Sequence, residues 1–192
     1  MDSSVLKSKL VRGDRAAFES IYYTYIDELL SYALSLGFER EEIKDAIQDI
    51  FFKVYINRKQ IAIVDNLKYY LFRSLKNRLL DILKTRRMQT SDITTIPELT
   101  FSIQACVLED LIEDEDRLVI QNKVKNLLNI LTDKQREAVY LRYMHEMSFN
   151  EIAEMLDITP KSAQKLVSRA LERMKDYGIP LAVLLWMFES VI

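Results

Sequence analysis

Turn-forming residues are scarce in this chain, and that scarcity constrains its fold more than any other feature. Only 3 Gly and 3 Pro occur among its 192 residues. A sandwich or barrel of many short strands needs a turn roughly every 8–12 residues, and Gly and Pro supply many of those turns. The sequence therefore predicts an all-α fold. The length suffices for one large domain or two small ones, each able to bury a core.

Apolar residues of the first half recur at three- and four-residue steps, the period of an amphipathic helix. The first strong helix is expected to begin after Asp14, an effective N-cap, and to end near Gly37. A second helix is predicted at about 41–55 and a third at about 67–87, with a loop at 59–66 between them.

Charge is distributed unevenly, although the formal net charge is only −2. Residues 1–87 carry +4, residues 88–122 carry −7 and residues 123–178 carry +2. An acidic stretch without helical period is typical of an exposed linker. We therefore expect two small helical domains at 1–87 and 117–178, an acidic linker at 88–116 and an apolar C-terminal tail at 179–192.

This chain has few of the residues that disulfides, metal sites and nucleophilic catalysis usually need. Cys106 is the only cysteine and His145 the only histidine, which disfavours a disulfide framework, a Cys/His metal site and a His-based nucleophile relay. The longest apolar run, 179–188, falls short of the roughly 20 residues that span a bilayer. We expect a soluble cytoplasmic protein that is not an enzyme and has no cofactor, no small-molecule substrate and no membrane insertion. Cys106 is expected to be a small apolar linker residue and His145 a solvated loop residue.

Capping signals and apolar spacing in residues 148–173 predict a helix-turn-helix. Ser148 opens a capping box, Thr159 precedes a proline at the first helical position, and Asp157 suits a left-handed turn. In this motif the second helix enters the DNA major groove. Its outward face is expected to carry Lys161, Ser162, Gln164, Lys165, Ser168 and Arg169. A solvated helix face in an ordinary bundle is the alternative.

Two further faces are expected in the N-terminal half. On the second helix Asp45, Gln48, Asp49 and Phe52 fall together. An exposed aromatic beside acids indicates a protein-docking surface, with a solvated acidic face as the alternative. The third helix carries a stripe that includes Tyr69, Arg73, Lys76, Asn77, Lys84 and Arg87. Basic and aromatic groups together suit unstacked nucleic acid, with an ordinary amphipathic surface helix as the alternative.

Short motifs follow one another along the chain in a specific order. They are Gly13–Phe18, Asp45–Phe51, Asn77 to Asp81 followed by Arg86-Arg87, Leu131–Tyr143, Glu151–Ala153 and Ser168–Leu171. This order resembles domain 2 followed by domain 4 of an extracytoplasmic-function (ECF) sigma factor of the sigma-70 family.

The resemblance implies a protein that binds core RNA polymerase and directs it to promoter DNA. It matches Asp45, Gln48, Asp49 and Phe52 to polymerase docking. It matches Asn66, Tyr69, Arg73, Lys76, Asn77, Lys84 and Arg87 to recognition and melting of the −10 element. It matches Arg142, Lys161, Ser162, Gln164, Lys165, Ser168 and Arg169 to the −35 element. An anti-sigma factor is a further expected partner.

Two features depart from the family pattern. The residues Gln164-Lys165-Leu166 replace the more usual Lys-Ser-Arg, so the −35 sequence does not carry over from relatives. We expect Leu166 to pack inward, and contact with a thymine methyl group is the alternative. The apolar tail lies outside the shared core; it either closes domain 4 or forms a patch for an anti-sigma factor or for domain 2.

A free-standing helix-turn-helix regulator with an N-terminal sensor or dimerisation domain is the alternative function. Such a regulator binds duplex DNA alone, usually as a dimer. A sigma factor is expected to bind weakly without the polymerase, because a small domain of about +2 net charge gains little from counterion release.

Overall fold

The computed structural model describes residues 3–90, 99–102 and 129–176, and the regular structure within these ranges is helical. The elements are α1 (Ser3–Val11), α2 (Arg15–Ser35), α3 (Arg40–Ile56), a 3-10 helix (Gln60–Ile63), α4 (Leu67–Thr90), α5 (Asp133–Tyr143), α6 (Phe149–Leu156) and α7 (Pro160–Asp176). The chain divides into two compact units, unit 1 at Met1–Leu99 and unit 2 at Thr100–Ile192. The predicted all-α, two-part architecture is confirmed.

Some predictions fall outside the described residues. They concern Cys106, most of the acidic linker, residues 117–128 and the apolar tail. None of the helices in the part of the chain that the structure describes combines the length and hydrophobicity that a membrane span requires.

The predicted start of α2 is confirmed by its cap. The Asp14 carboxylate accepts hydrogen bonds from the backbone N–H groups of Ala16 (2.9 Å) and Ala17 (3.2 Å), which satisfies two of the free donors of the first turn. Gly37 follows the end of the helix with φ +83°, a conformation that favours glycine. Asp14 and Gly37 therefore delimit α2 from the local sequence alone.

Unit 1 is built around α2, α3 and α4, which pack against one another, while α1 packs on α2 and the 3-10 helix. The largest fully buried side chains of this unit include Tyr32, Phe72, Ile43, Leu71 and Leu75. The rings of Tyr32 and Phe72 lie 5.2 Å apart and join α2 to α4. Helix α1 is not predicted from the sequence, because so short a helix depends on its contacts with neighbours.

Unit 2 begins each of its three described helices with a side-chain cap. Thr132 accepts from the backbone N–H of Gln135 at 3.4 Å, and Ser148 accepts from that of Glu151 at 3.3 Å. Both predicted capping boxes are complete. Thr159 accepts from the backbone N–H of Ser162 at 3.2 Å and starts α7 at the expected place.

The prediction that His145 is solvated is wrong. Its side chain is buried, with 7% exposed, and its ring lies edge-on to Tyr140 with centroids 4.8 Å apart. The loop after α5 folds over that helix, where the Met147 backbone N–H donates to the Leu141 carbonyl at 3.1 Å. The prediction of a solvated side chain follows from the position of His145 in a loop between two helices, whereas in the structure its ring packs against Tyr140.

Candidate functional site

The docking residues predicted on α3 share one side of that helix, here called the α3 face (Asp45, Gln48, Asp49 and Phe52). Asp45 and Gln48 are exposed, and Phe52 is 67% exposed. The opposite side is buried and includes Ile43, Ala46, Ile47, Ile50, Phe51 and Val54. The exposed ring of Phe52 therefore lies outside the buried core of unit 1.

Two ion pairs join α3 to α4. The carboxylate of Asp49 lies 2.7 Å from the guanidinium of Arg78, and Glu42 pairs with Arg86. Sequence reasoning missed Arg78 as a neighbour of the face, since pairing between two helices leaves no signal in the spacing along either one. The charge of the Asp49 carboxylate is therefore partly compensated within unit 1.

An exposed aromatic also lies on α2. Tyr23 is 73% exposed, and its ring contacts that of Tyr22 at 5.5 Å. Tyr22 in turn lies edge-on to Phe51 at 4.9 Å. Sequence reasoning missed Tyr23, because it lies within a run of apolar and aromatic residues that reads as core.

Three polar residues at the start of α4, Asn66, Tyr69 and Arg73, form an ordered cluster. Asn66 accepts through Oδ1 from the backbone N–H of Tyr69 at 3.1 Å, and Arg73 donates to the Tyr69 hydroxyl at 2.7 Å. The Arg73 guanidinium lies 5.9 Å from the Tyr69 ring centre. Asn66, Arg73, Asn77 and Lys84 are exposed and Tyr69 is half-buried. We call these five residues the α4 face.

The sequence places Lys76 on the same stripe, but the structure contradicts this. Lys76 is only 8% exposed. Helix α4 packs against both α2 and α3, so its buried side is wide and takes in Phe72 and Lys76 in addition to the predicted leucines. The position of the Arg87 side chain lies outside the described residues.

The loop predicted at 59–66 contains the 3-10 helix, whose last residue is notable. Ile63 is 85% exposed, while Ile61 in the same turn is fully buried. Lys7 on α1 donates to the Val64 carbonyl next to it. The segment therefore holds an apolar side chain in solvent just before the α4 face, a feature that sequence reasoning missed because it treated the segment as an unstructured connection.

The predicted helix-turn-helix is present in α6 and α7. Asp157 adopts the left-handed conformation, with φ 53° and ψ 51°, and the Ile158 backbone N–H donates to the Ala153 carbonyl at 2.9 Å. Ala153 is buried where the two helices meet, as expected of a small residue at a close crossing. The turn thus directs α7 away from α6 through local interactions.

One side of α7 is entirely polar and exposed, and we call it the α7 face. It comprises Lys161, Ser162, Gln164, Lys165, Ser168 and Arg169. The opposite side buries Ala163, Val167, Ala170 and Met174. Leu166 is half-buried at the edge of this face. Lysine, arginine and glutamine at these positions can contact phosphates and the edges of bases.

Arg142 lies apart from the α7 face. From the end of α5 it donates to the Met147 carbonyl at 2.7 Å, and its guanidinium lies 4.9 Å from the Phe149 ring centre. Arg142 is half-buried and stabilises the loop between α5 and α6 through these two contacts.

Comparison with protein families identifies a known family region within each unit. Residues 21–88 match the model of sigma-70 region 2, and residues 121–174 match that of sigma-70 region 4. The two matches together span more than half of the chain, in the order that the sequence motifs predict.

Full-length relatives agree with this assignment. The ECF RNA polymerase sigma factor SigW of Bacillus subtilis is 24% identical over 170 residues, covering 85% of this chain and 90% of the relative. The ECF RNA polymerase sigma-E factor of Escherichia coli strain K12 is 22% identical over 187 residues, covering 94% and 96%.

Solved structures share the fold. RpoE of Bartonella quintana, solved with the anti-sigma factor NepR, has a TM-score of 0.56 at 23% identity, covering 83% of this chain and 94% of that one. CnrH, solved with the cytosolic domain of CnrY, has a TM-score of 0.55 at 20% identity, covering 91% and 95%. With both regions matched in order on two helical units, the chain belongs to the sigma-70 family, as an extracytoplasmic-function RNA polymerase sigma factor.

Proposed function

We propose that the protein binds core RNA polymerase through its α3 face and directs it to promoters whose −10 element is bound by the α4 face and whose −35 element is bound by the α7 face. One observation carries this proposal. Regions 2 and 4 match separate units, and most of the assigned residues are exposed on the helix side opposite their unit's core.

The chemistry of the α3 face supports protein docking. An exposed phenylalanine beside two carboxylates offers an apolar contact with a polar rim, which is the usual composition of a protein interface. The α3 face is poorly suited to DNA, because Asp45 and Asp49 would be repelled by phosphates.

The α4 face supports binding to unstacked DNA. A base can stack on an aromatic ring or a guanidinium, and each such contact contributes about 1–3 kcal/mol. Tyr69 and Arg73 hold each other in place, so little side-chain freedom is left to lose on binding. Lys76 is left out of this proposal because it is buried, and Arg142 acts chiefly by positioning α6.

The α7 face supports reading of duplex DNA. Lys165 and Arg169 lie one turn apart on α7 and are exposed, so both can reach the same groove. Gln164 can pair with adenine, and a good bidentate pair discriminates against the wrong base by about 1–3 kcal/mol.

An anti-sigma factor is proposed as a further partner. One solved structure of similar fold, that of RpoE, contains the anti-sigma factor NepR, and another, that of CnrH, contains the cytosolic domain of CnrY. The exposed Tyr23 and Phe52 rings are apolar groups on unit 1 that such a partner could cover.

The test is a mobility shift and a transcription assay on a pool of randomised upstream DNA, with and without core RNA polymerase. We expect a specific shift and a transcript only when both proteins are present. A shift by the protein alone that polymerase leaves unchanged would overturn the proposal and favour the free-standing regulator.

A further inference from the structure

Helix α1 lies against the stretch of chain between α3 and α4, which we call the α3–α4 connection (residues 57–66). The side chains of Leu10 on α1 and Ile61 on the 3-10 helix are each 1% exposed, and α1 packs on both α2 and the 3-10 helix. A helix of only 9 residues is marginal by itself. Its contacts with α2 and with the α3–α4 connection therefore hold it in place.

Two contacts join the N-terminal part of the chain to the α3–α4 connection. Lys7, in the middle of α1, donates to the Val64 carbonyl. Gly13, just beyond the end of α1, lies against Arg58, since a Cβ atom at Gly13 would be 3.4 Å from Arg58 Nε. The connection is thus held from α1 near its last residues and from the turn after α1 near its first residues.

The Val64 carbonyl lies where the chain leaves the 3-10 helix. The Val64 backbone N–H still donates to the Ile61 carbonyl at 3.1 Å, whereas the φ of −79° and ψ of 117° at Val64 are those of extended backbone. Carbonyl groups at the end of a helix receive no donor from the helix itself, and here the half-buried Lys7 supplies one. Because the donor is charged, the bond is stronger than one between neutral groups.

The carbonyl that Lys7 holds lies between two exposed residues beside the α4 face. Ile63, one residue before it, is 85% exposed. Asn66, two residues after it, accepts through Oδ1 from the Tyr69 backbone N–H at 3.1 Å. The direction of the chain at Val64 therefore determines where Ile63 and Asn66 lie relative to Tyr69 and Arg73.

We infer that Lys7 is a positioning residue for base recognition by the α4 face, and that it acts through the Val64 carbonyl. This inference rests on the proposed function, in which the α4 face binds the −10 element. In this role Lys7 does not touch DNA; it restrains the α3–α4 connection and so keeps Asn66 in place beside Tyr69 and Arg73. A recognition site works when its side chains are held to within about 0.5 Å by their surroundings.

Loss of this one bond should leave the rest of unit 1 intact. The core of the unit is formed by α2, α3 and α4, which pack against one another without it. The proposed docking surface, the α3 face, lies on a helix whose other side is buried in that core. The effect is therefore a local loosening of the connection, of the kind that leaves the global fold in place.

Lys7→Met tests the inference, because methionine keeps an unbranched apolar side chain but cannot donate to the carbonyl. Lys9→Met is the matched control, since it removes the same charge from an exposed position of the same helix. Lys7→Arg keeps a charged donor at the position and provides the rescue.

The readout is transcription by holoenzyme on a selected promoter and on versions of it that carry each single base change in the −10 or the −35 element. We expect Lys7→Met to lower discrimination among −10 bases about fivefold, the lower limit for one good base contact. Discrimination among −35 bases and affinity for core RNA polymerase should stay at their wild-type values. Lys9→Met should behave as wild type, and Lys7→Arg should restore most of the −10 discrimination.

Three results would overturn the inference. The first is wild-type −10 discrimination by Lys7→Met. The second is a loss of transcription shared equally by all −10 sequences, which indicates that Lys7 itself contacts a phosphate. The third is a parallel loss of affinity for core RNA polymerase, which indicates a general loosening of unit 1.

Asp65→Gly reaches the same connection from another position and decides the question if Lys7→Met fails to fold. Asp65 is exposed, and glycine there frees the backbone between Val64 and Asn66, so −10 discrimination should fall as in Lys7→Met. Combining the two changes should add little, because residues that act through one element are not additive. Full discrimination by Asp65→Gly, or additive losses in the double variant, would contradict the inference.

Failure of the proposed function itself looks different in the same assay. Wild-type holoenzyme would then show no preference among −10 sequences, whereas failure of the role of Lys7 leaves that preference intact in both wild type and Lys7→Met.

Discussion

The guanidinium of Arg78 on α4 lies 2.7 Å from the carboxylate of Asp49 on α3, so one acid of the proposed docking face is paired within its own unit. Both side chains remain substantially exposed, 40% for Arg78 and 47% for Asp49. A surface pair of this kind contributes about 0–1 kcal/mol to stability. The docking role of Asp49 can therefore be tested with little disturbance of the fold.

Asp49→Lys should abolish assembly with core RNA polymerase, because it reverses a charge at the centre of the α3 face and places it beside Arg78. The loss of affinity is measured by fluorescence anisotropy with labelled protein. The thermal unfolding midpoint should change little, in keeping with the exposure of the pair.

Arg78→Gln is the matched control for this change. It breaks the same ion pair but leaves the Asp49 carboxylate on the surface, so polymerase affinity should stay near the wild-type value. Holoenzyme formation by Asp49→Lys at normal affinity would show that the α3 face is not the docking surface.

Asn77→Ala should spare polymerase binding but reduce promoter opening. Asn77 is exposed on α4 and offers both a donor and an acceptor to an unpaired base. Opening is measured as permanganate reactivity of thymines near the start site. Thr24→Ala removes an exposed polar group of α2 in the same unit and should have no effect; an equal loss in both variants would argue against a specific contact.

Lys165→Ala should weaken binding to the −35 element, with a cost of about 1–3 kcal/mol if the lysine contacts a base. If it contacts a phosphate, the loss of affinity is the same for all DNA sequences, and the slope of log binding constant against log salt concentration falls in magnitude by about 1. Competition assays with holoenzyme at several salt concentrations separate these cases. Lys175→Ala removes the same charge from the last turn of α7, about 15 Å farther along the helix than Lys165, and similar losses from both would contradict the assignment.

Asp157→Val should destabilise the turn between α6 and α7, because a β-branched residue pays about 1–2 kcal/mol for the left-handed conformation. Asp157→Gly adopts that conformation freely and should be close to wild type. Hydrogen exchange of the α6 and α7 amides reports on unit 2 separately from unit 1. Equal protection in the two variants would show that φ 53° is not a source of strain.

Local chemistry explains which parts of the fold can be predicted. The starts of α2, α5, α6 and α7 follow from Asp14, Thr132, Ser148 and Thr159, each of which acts within three residues of itself. Such signals need no knowledge of the tertiary structure. The third predicted helix instead continues to Thr90, because its end carries no comparable stop signal.

Tertiary packing accounts for the errors. Lys76 is buried because α4 packs against two helices at once, and His145 is buried in a loop that folds back on α5, where its ring contacts Tyr140. The α7 face was predictable because exposure there follows the helical period, whereas the Arg78–Asp49 pair and the contact of Phe101 with Tyr140 join segments whose proximity only the fold determines.

The turn at Asp157 and the cap at Thr159 fix the direction and the rotational phase of α7. Among the outward side chains, that of Ser162 contacts the cap, since its hydroxyl lies 2.8 Å from that of Thr159, whereas Gln164 and Lys165 lie beyond it in the sequence. A one-residue shift in the start of the helix would rotate all of the outward side chains by about 100°. Under the proposed function, substitutions at Gln164 or Lys165 would therefore change which DNA sequence is preferred while the helix continues to be presented in the same way, so new promoter preferences could arise without rebuilding the domain.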